Sequence, residues 1–177
     1  DRAADLVAGI GESLLDNARS ATLEAWLRRL PPELVENNVR LGLQRLALLR
    51  EQARWQPAEE LAKRLERQLA VRPDRWLLTQ MLNNHALVLW YLERYPEALR
   101  LFRRALRICP AGPGSGKEAR QLHSSLLNNT GLVLMHMERY PGAERLFRGS
   151  LAETAGIPGQ RYDSACHSNL GIILMYR

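Results

Sequence analysis

The chain has 177 residues, 46% of them hydrophobic, with two Phe, two Cys and a formal net charge of +6. That length and apolar content can bury a real core, while two cysteines, Cys109 and Cys166, are too few for a disulfide framework. No run approaches the roughly 18 uncharged apolar residues of a membrane span and no signal peptide opens the chain, so a soluble, cytoplasmic protein is expected.

In chain order, AADLVAGIGESLLDNA (3–18) and ATLEAWLRRL (21–30) have helical apolar spacing, with Leu23, Trp26, Leu27 and Leu30 at i, i+3, i+4 and i+7. Pro31-Pro32 ends the second of these, and Pro32 can open the next helix because its missing N–H costs nothing there. Helices are predicted near 3–17, 19–30, 38–53, 57–71, 75–93, 96–109, 117–138, 141–154 and 161–177. Strand-type alternation of Val, Ile and Thr is absent, so the expected class is all-α.

The later elements repeat. Arg54-Trp55-Gln56-Pro57-Ala58, Arg94-Tyr95-Pro96-Glu97-Ala98 and Arg139-Tyr140-Pro141-Gly142-Ala143 are one phrase at intervals of 40 and 45 residues. LNNHALVLWYLERY (82–95) aligns without a gap to LNNTGLVLMHMERY (127–140), and ALRLFRRAL (98–106) matches AERLFRGSL (143–151). Such a period marks helix pairs that cannot bury their apolar faces alone and must stack on their neighbours. Phe102, Ala105, Gly131 and Phe147 fall at packing positions of this pattern.

These residues resemble the tetratricopeptide repeat. Numbered from Thr79, the chain supplies Ala86, Tyr95, Ala98, Phe102, Ala105 and Pro110, the full pattern. Numbered from Ser124 it supplies Gly131, Tyr140, Ala143 and Phe147, then departs at Ser150 and Ala155. The repeat at 38–73 is degenerate, with Ala62 in place of an aromatic. Irregular helical repeats are therefore expected over 1–73 and tetratricopeptide-like ones over 74–177, together an α-α superhelical solenoid. HSNLGIILMYR (167–177) matches the start of a further repeat whose aromatic would fall three residues past Arg177, which suggests a fragment of a longer protein.

The segment from Leu23 to Leu69, distinctively Trp26 to Leu34, looks like the start of the sensor region of large ATP-dependent LuxR-type, maltose-activator-like transcription regulators. That resemblance implies an ATPase before the repeats and a helix-turn-helix after them. Neither lies in this chain. Gly112 to Lys117 lacks the first Gly of a phosphate-binding loop, with Ala111 in its place, and has Glu118 where a Mg²⁺ ligand must be Ser or Thr, so an inter-repeat linker is expected.

No enzyme is expected. His85, His123, His136 and His167 form no metal-binding motif, and Cys166 and His167, adjacent on a helix, diverge by about 100°. No cofactor or metal is implied. The repeat family instead implies a concave binding groove, lined here by Asn83, Leu87, Trp90 and Tyr91, by Asn128, Leu132, Met135 and His136, and by Ser168, Ile172 and Tyr176. Asn84, Asn129 and Asn169 stand at its margin, where amides could bond a peptide backbone or a sugar hydroxyl whatever the ligand's sequence. Neither Lys63 nor Lys117 faces inward, so a neutral peptide, a sugar or a partner helix suits this groove better than an acidic tail.

The expected function is ligand- or partner-binding within a larger bacterial regulator, taking a peptide, protein or small-molecule effector. The alternative is a protein-interaction scaffold without small-molecule sensing. All but two of the 25 cations are arginines, dispersed over most helices and densest at Arg100, Arg103, Arg104 and Arg107. That pattern fits a solvated outer face better than direct nucleic-acid contact.

Overall fold

A computed structural model describes residues 6, 7, 9, 20–109, 115–156 and 163–176. Nine helices are described: α1 (Ser20–Arg29), α2 (Pro32–Asn37), α3 (Val39–Glu51), α4 (Trp55–Val71), α5 (Arg75–Tyr91), α6 (Tyr95–Ile108), α7 (Lys117–His136), α8 (Tyr140–Thr154) and α9 (Asp163–Met175). Among the described residues there is no strand. The helix expected over 3–17 lies mostly outside them, as do residues 112–114 of the linker expected over 112–117. The short α2 is additional, because Pro32 starts a helix while Asn38 breaks it and caps the next. Its Oδ1 accepts from the backbone N–H groups of Arg40 and Leu41 at 3.0 and 3.3 Å.

The chain packs as two compact units, 1–88 and 89–177, with the boundary inside α5. This division follows packing, whereas the boundary expected at 73–74 followed repeat register. In the first unit α3 packs on α1, α2 and α4. Its core joins Val7, Leu23, Leu27, Val35, Leu41 and Leu48, with Trp26, Leu30 and Leu34 packed against it. The Trp26–Leu34 segment is thus a core element. Gly42 lets α4 approach α3 closely, since a Cβ there would stand 2.5 Å from Leu65 Cδ2.

In the second unit α7 packs against α6, α8 and α9, and α8 against α9. Phe102, Ala105 and Phe147 are fully buried, as the repeat pattern requires. The ring of Phe147 occupies the room left by Gly131, where a Cβ would come within 2.7 Å of the ring.

The repeated phrase has a common backbone cause. Ala53, Glu93 and Glu138, each just before its Arg-[Trp/Tyr], adopt positive φ of 54°, 59° and 58°. The Arg N–H that follows bonds five residues back, Arg54 to Leu49, Arg94 to Leu89 and Arg139 to Leu134, at 2.8–2.9 Å. This is a Schellman ending, in which one left-handed residue closes the first helix and turns the chain into the second.

Candidate functional site

The expected groove residues fall into two sets. Asn83, Asn84 and Leu87 lie in the first unit, and the others in the second. Asn84 is half-buried and its Nδ2 donates to Gln80 O at 3.0 Å, one turn back on its own helix. Asn83 is buried and Leu87 half-buried.

In the second unit, repeat geometry gathers rings. Trp90 and Tyr91 at the end of α5 have centroids 4.7 Å apart, and His136 at the end of α7 meets Trp90 edge-on at 5.5 Å. Tyr95, at the start of α6, stacks on His136 at 5.4 Å and 15°. The same device recurs one repeat on, where Tyr140 stacks on Tyr176 at 5.3 Å and 4°. His136 and Tyr176 occupy equal repeat positions, as do Tyr95 and Tyr140. The turn aromatic of one repeat therefore carries the last ring of the following first helix, because the Schellman turn fixes its entry angle. Tyr91 and Tyr176 remain 51% and 66% exposed, Ile172 37% exposed, and Ser168 and His136 also face solvent. Stacked rings held open to water suit contact with apolar or planar groups of a partner.

The amides lie deeper. Asn128 and Asn129 are 3% and 6% exposed. Asn128 Nδ2 donates to Asn129 Oδ1 at 3.4 Å, and Asn129 Nδ2 to Ser125 Oγ at 3.5 Å. Asn128 Oδ1 also lies 3.3 Å from the Cys166 thiol. Asn169, Leu132 and Met135 are half-buried. Of the expected groove, the structure thus brings Trp90, Tyr91 and His136 together in one cluster and places Tyr176 in an equivalent one. The sequence names Tyr95 and Tyr140 only as aromatics of the repeat pattern, not as ring platforms. The equal repeat positions of Tyr95 and Tyr140, and of His136 and Tyr176, were the available signal.

The cysteines are buried thiols in no disulfide. Burial pushes the Cys109 thiol up to about 11, and the carboxylate of Glu153 adds to the effect. Such a thiol stays protonated at neutral pH and is a poor nucleophile. Among the described residues no cluster of His, Cys, Asp or Glu could hold a metal, and no helix is long and apolar enough to cross a membrane.

Residues 78–109 match the family model for the tetratricopeptide repeat. Three solved structures are similar over nearly the whole chain. They are PilF of Pseudomonas aeruginosa (TM-score 0.70, 19% identity, 99% of this chain and 69% of that one), BtubC (BKLC) of P. vanneervenii (TM-score 0.71, 17% identity, 98% and 74%) and MamA of AMB-1 (TM-score 0.60, 15% identity, 99% and 89%). The fold is a tetratricopeptide-type helical repeat. No curated protein is a match to the sequence. Tetratricopeptide-type folds bind protein or peptide partners and typically serve as non-catalytic interaction scaffolds. The all-α repeat class read from the sequence is therefore the class observed.

Proposed function

We propose that this chain is the partner-binding repeat domain of a larger bacterial transcription regulator working in the cytoplasm, and that the ends of its first helices take a peptide segment or protein partner. The observation that carries the binding face is the paired ring device, Trp90–Tyr91–His136 on Tyr95 and Tyr176 on Tyr140, stacked yet open to solvent. Ordered aromatic surface offers large contact area at low entropic cost. The regulator context is supported by the Trp26–Leu34 segment alone. Small-molecule sensing belongs to the same proposal and has less support, since the buried amides of Asn128 and Asn129 are already engaged within the protein.

A displayed random-peptide library panned against the chain tests the binding face. Enriched peptides should lose at least tenfold in affinity for the Tyr91→Ala/His136→Ala/Tyr176→Ala variant. Equal affinity for that variant would place binding elsewhere. The regulator context predicts a Walker-type ATPase and a helix-turn-helix encoded on either side of these repeats. If the surrounding reading frame carries neither, the plain scaffold is the better account.

A further inference from the structure

The two well-formed repeats differ in where they place their acids, and the difference collects at one groove. In the earlier repeat Arg94 is held bidentately by Glu97 at 2.6 and 2.7 Å, and Arg100 lies 3.8 Å from the same carboxylate. In the later repeat the equivalents of Arg94 and Arg100 are Arg139 and Arg145, while Gly142 stands where Glu97 does. Both arginines have lost the same partner. The converse holds on the second helices. Arg148 pairs with Glu144 at 2.9 Å, but its equivalent Arg103 has Leu99 in place of that Glu.

Arg103, Arg139 and Arg145, the three cations whose internal carboxylate is missing, line one groove of about 560 Å³ where α6, α7 and α8 meet. Its floor is apolar, made by Leu99, Leu106, Leu134 and Leu146, and its lining contains no Asp or Glu. Gly142 both removes the carboxylate and opens the wall, since a Cβ there would stand 3.0 Å from Leu134 Cδ1. Among the described residues no ion pair engages these three side chains.

We propose that this groove binds an acidic–aliphatic peptide segment of a protein partner. Its aliphatic side chains would lie on the leucine floor and its carboxylates would take the places left by Glu97 and Glu144 equivalents. Guanidiniums favour paired, planar bonds to carboxylate, and their strength grows beside an apolar floor that excludes water. A volume of this size accepts a few side chains, within the range of about 300–1,000 Å³ usual for ligand pockets. A single-stranded nucleic acid is a worse fit, because its affinity depends on aromatic platforms and the groove lining has no aromatic ring. This surface is separate from the ring-bearing helix ends and does not depend on them.

Fluorescence anisotropy with a labelled peptide alternating Glu and Leu tests the proposal, against the same peptide with Gln for Glu. The Glu peptide should bind at least tenfold tighter. Arg103→Ala/Arg139→Ala/Arg145→Ala should abolish that preference, whereas Arg40→Ala/Arg45→Ala/Arg67→Ala, which removes equal charge from exposed sites of the first unit, should keep it. Gly142→Glu restores an internal partner and should weaken binding at least fivefold, with folding checked by circular dichroism. Equal binding of the two peptides, or equal loss in both triple variants, overturns the proposal. So does tighter binding of single-stranded DNA that is lost in the groove variant alone, which would make this a nucleic-acid surface.

Discussion

The repeat of α5 and α6 and the repeat of α7 and α8 share one register but are stabilised by different chemistry. Ala105 in the first is a fully buried methyl, and Thr79 donates to Arg75 O within its own helix at 2.8 Å. Their equivalents in the second are Ser150 and Ser124, whose hydroxyls lie 2.8 Å apart, with Ser150 Oγ also 2.9 Å from Ser124 O. The Cys166 thiol of α9 adds a third member, 3.4 Å from Ser150 Oγ. A buried hydroxyl is costly when alone and close to neutral when paired. The departure from Ala at position 150 is therefore one half of a compensated pair. The same backbone geometry accepts either an apolar contact or a satisfied polar cluster, provided the partners change together.

The largest test is of what the two repeats share. Phe147→Ala should cost about 3 to 5 kcal/mol, measured by denaturant unfolding, because a fully buried ring is removed from between stacked helices. Gly131→Ala should cost about 1 to 3 kcal/mol by forcing a methyl into that ring, and a double variant with Phe147→Leu should recover part of the loss. An unchanged melting temperature in Gly131→Ala would show that the second repeat has slack where the structure shows contact.

The polar cluster sharpens the comparison further. Ser124→Ala alone should cost about 1 to 3 kcal/mol, since it strips a partner from buried Ser150, and the double change to Ala should cost less than the sum of the two singles. Additive singles would mean the hydroxyls do not cooperate. In the earlier repeat the equivalent of Thr154 is Cys109, whose thiol is raised from 9.0 to about 11. Its folded pKa lies above the unfolded one, so its contribution to stability is complete below about pH 9 and is lost as pH rises through about 11. Cys109→Ala should flatten that alkaline decline in a pH series of unfolding midpoints, and an unaltered decline would assign it to other groups.

The smallest expected effect lies at the turns. Glu93→Gly and Glu138→Gly should each stabilise by up to about 1 kcal/mol, because a side chain in left-handed backbone is strained where glycine is not. Destabilisation in either would mean that its carboxylate contributes more than the backbone strain removes.

Much of the fold was legible because repetition makes the signal redundant. The Arg-[Trp/Tyr]-x-x-Ala phrase marked the three turns at Ala53, Glu93 and Glu138, and the structure places every expected helix from residue 19 onward, with ends shifted by up to two residues. Helix α2 was not expected because the five residues between a diproline and a capping Asn carry no periodicity to read. The site was less legible. The register put Asn84 and Asn129 at a margin, but side-chain amides choose partners by local reach, and each bonds one turn back on its own helix.

Local chemistry, carried by the sequence alone, determined the helices, the turns between them and the all-α repeat class, because caps, prolines and apolar period act within a few residues of one another. Partner choice was decided only in three dimensions. That Arg139 and Arg145 stand with Arg103 around a leucine floor, that Ser150 answers Ser124, and that Tyr95 and Tyr140 carry the rings of His136 and Tyr176 all depend on which helices pack together. A charge or hydroxyl has no fixed energetic sign until the packing decides whether a partner stands within about 3 Å of it.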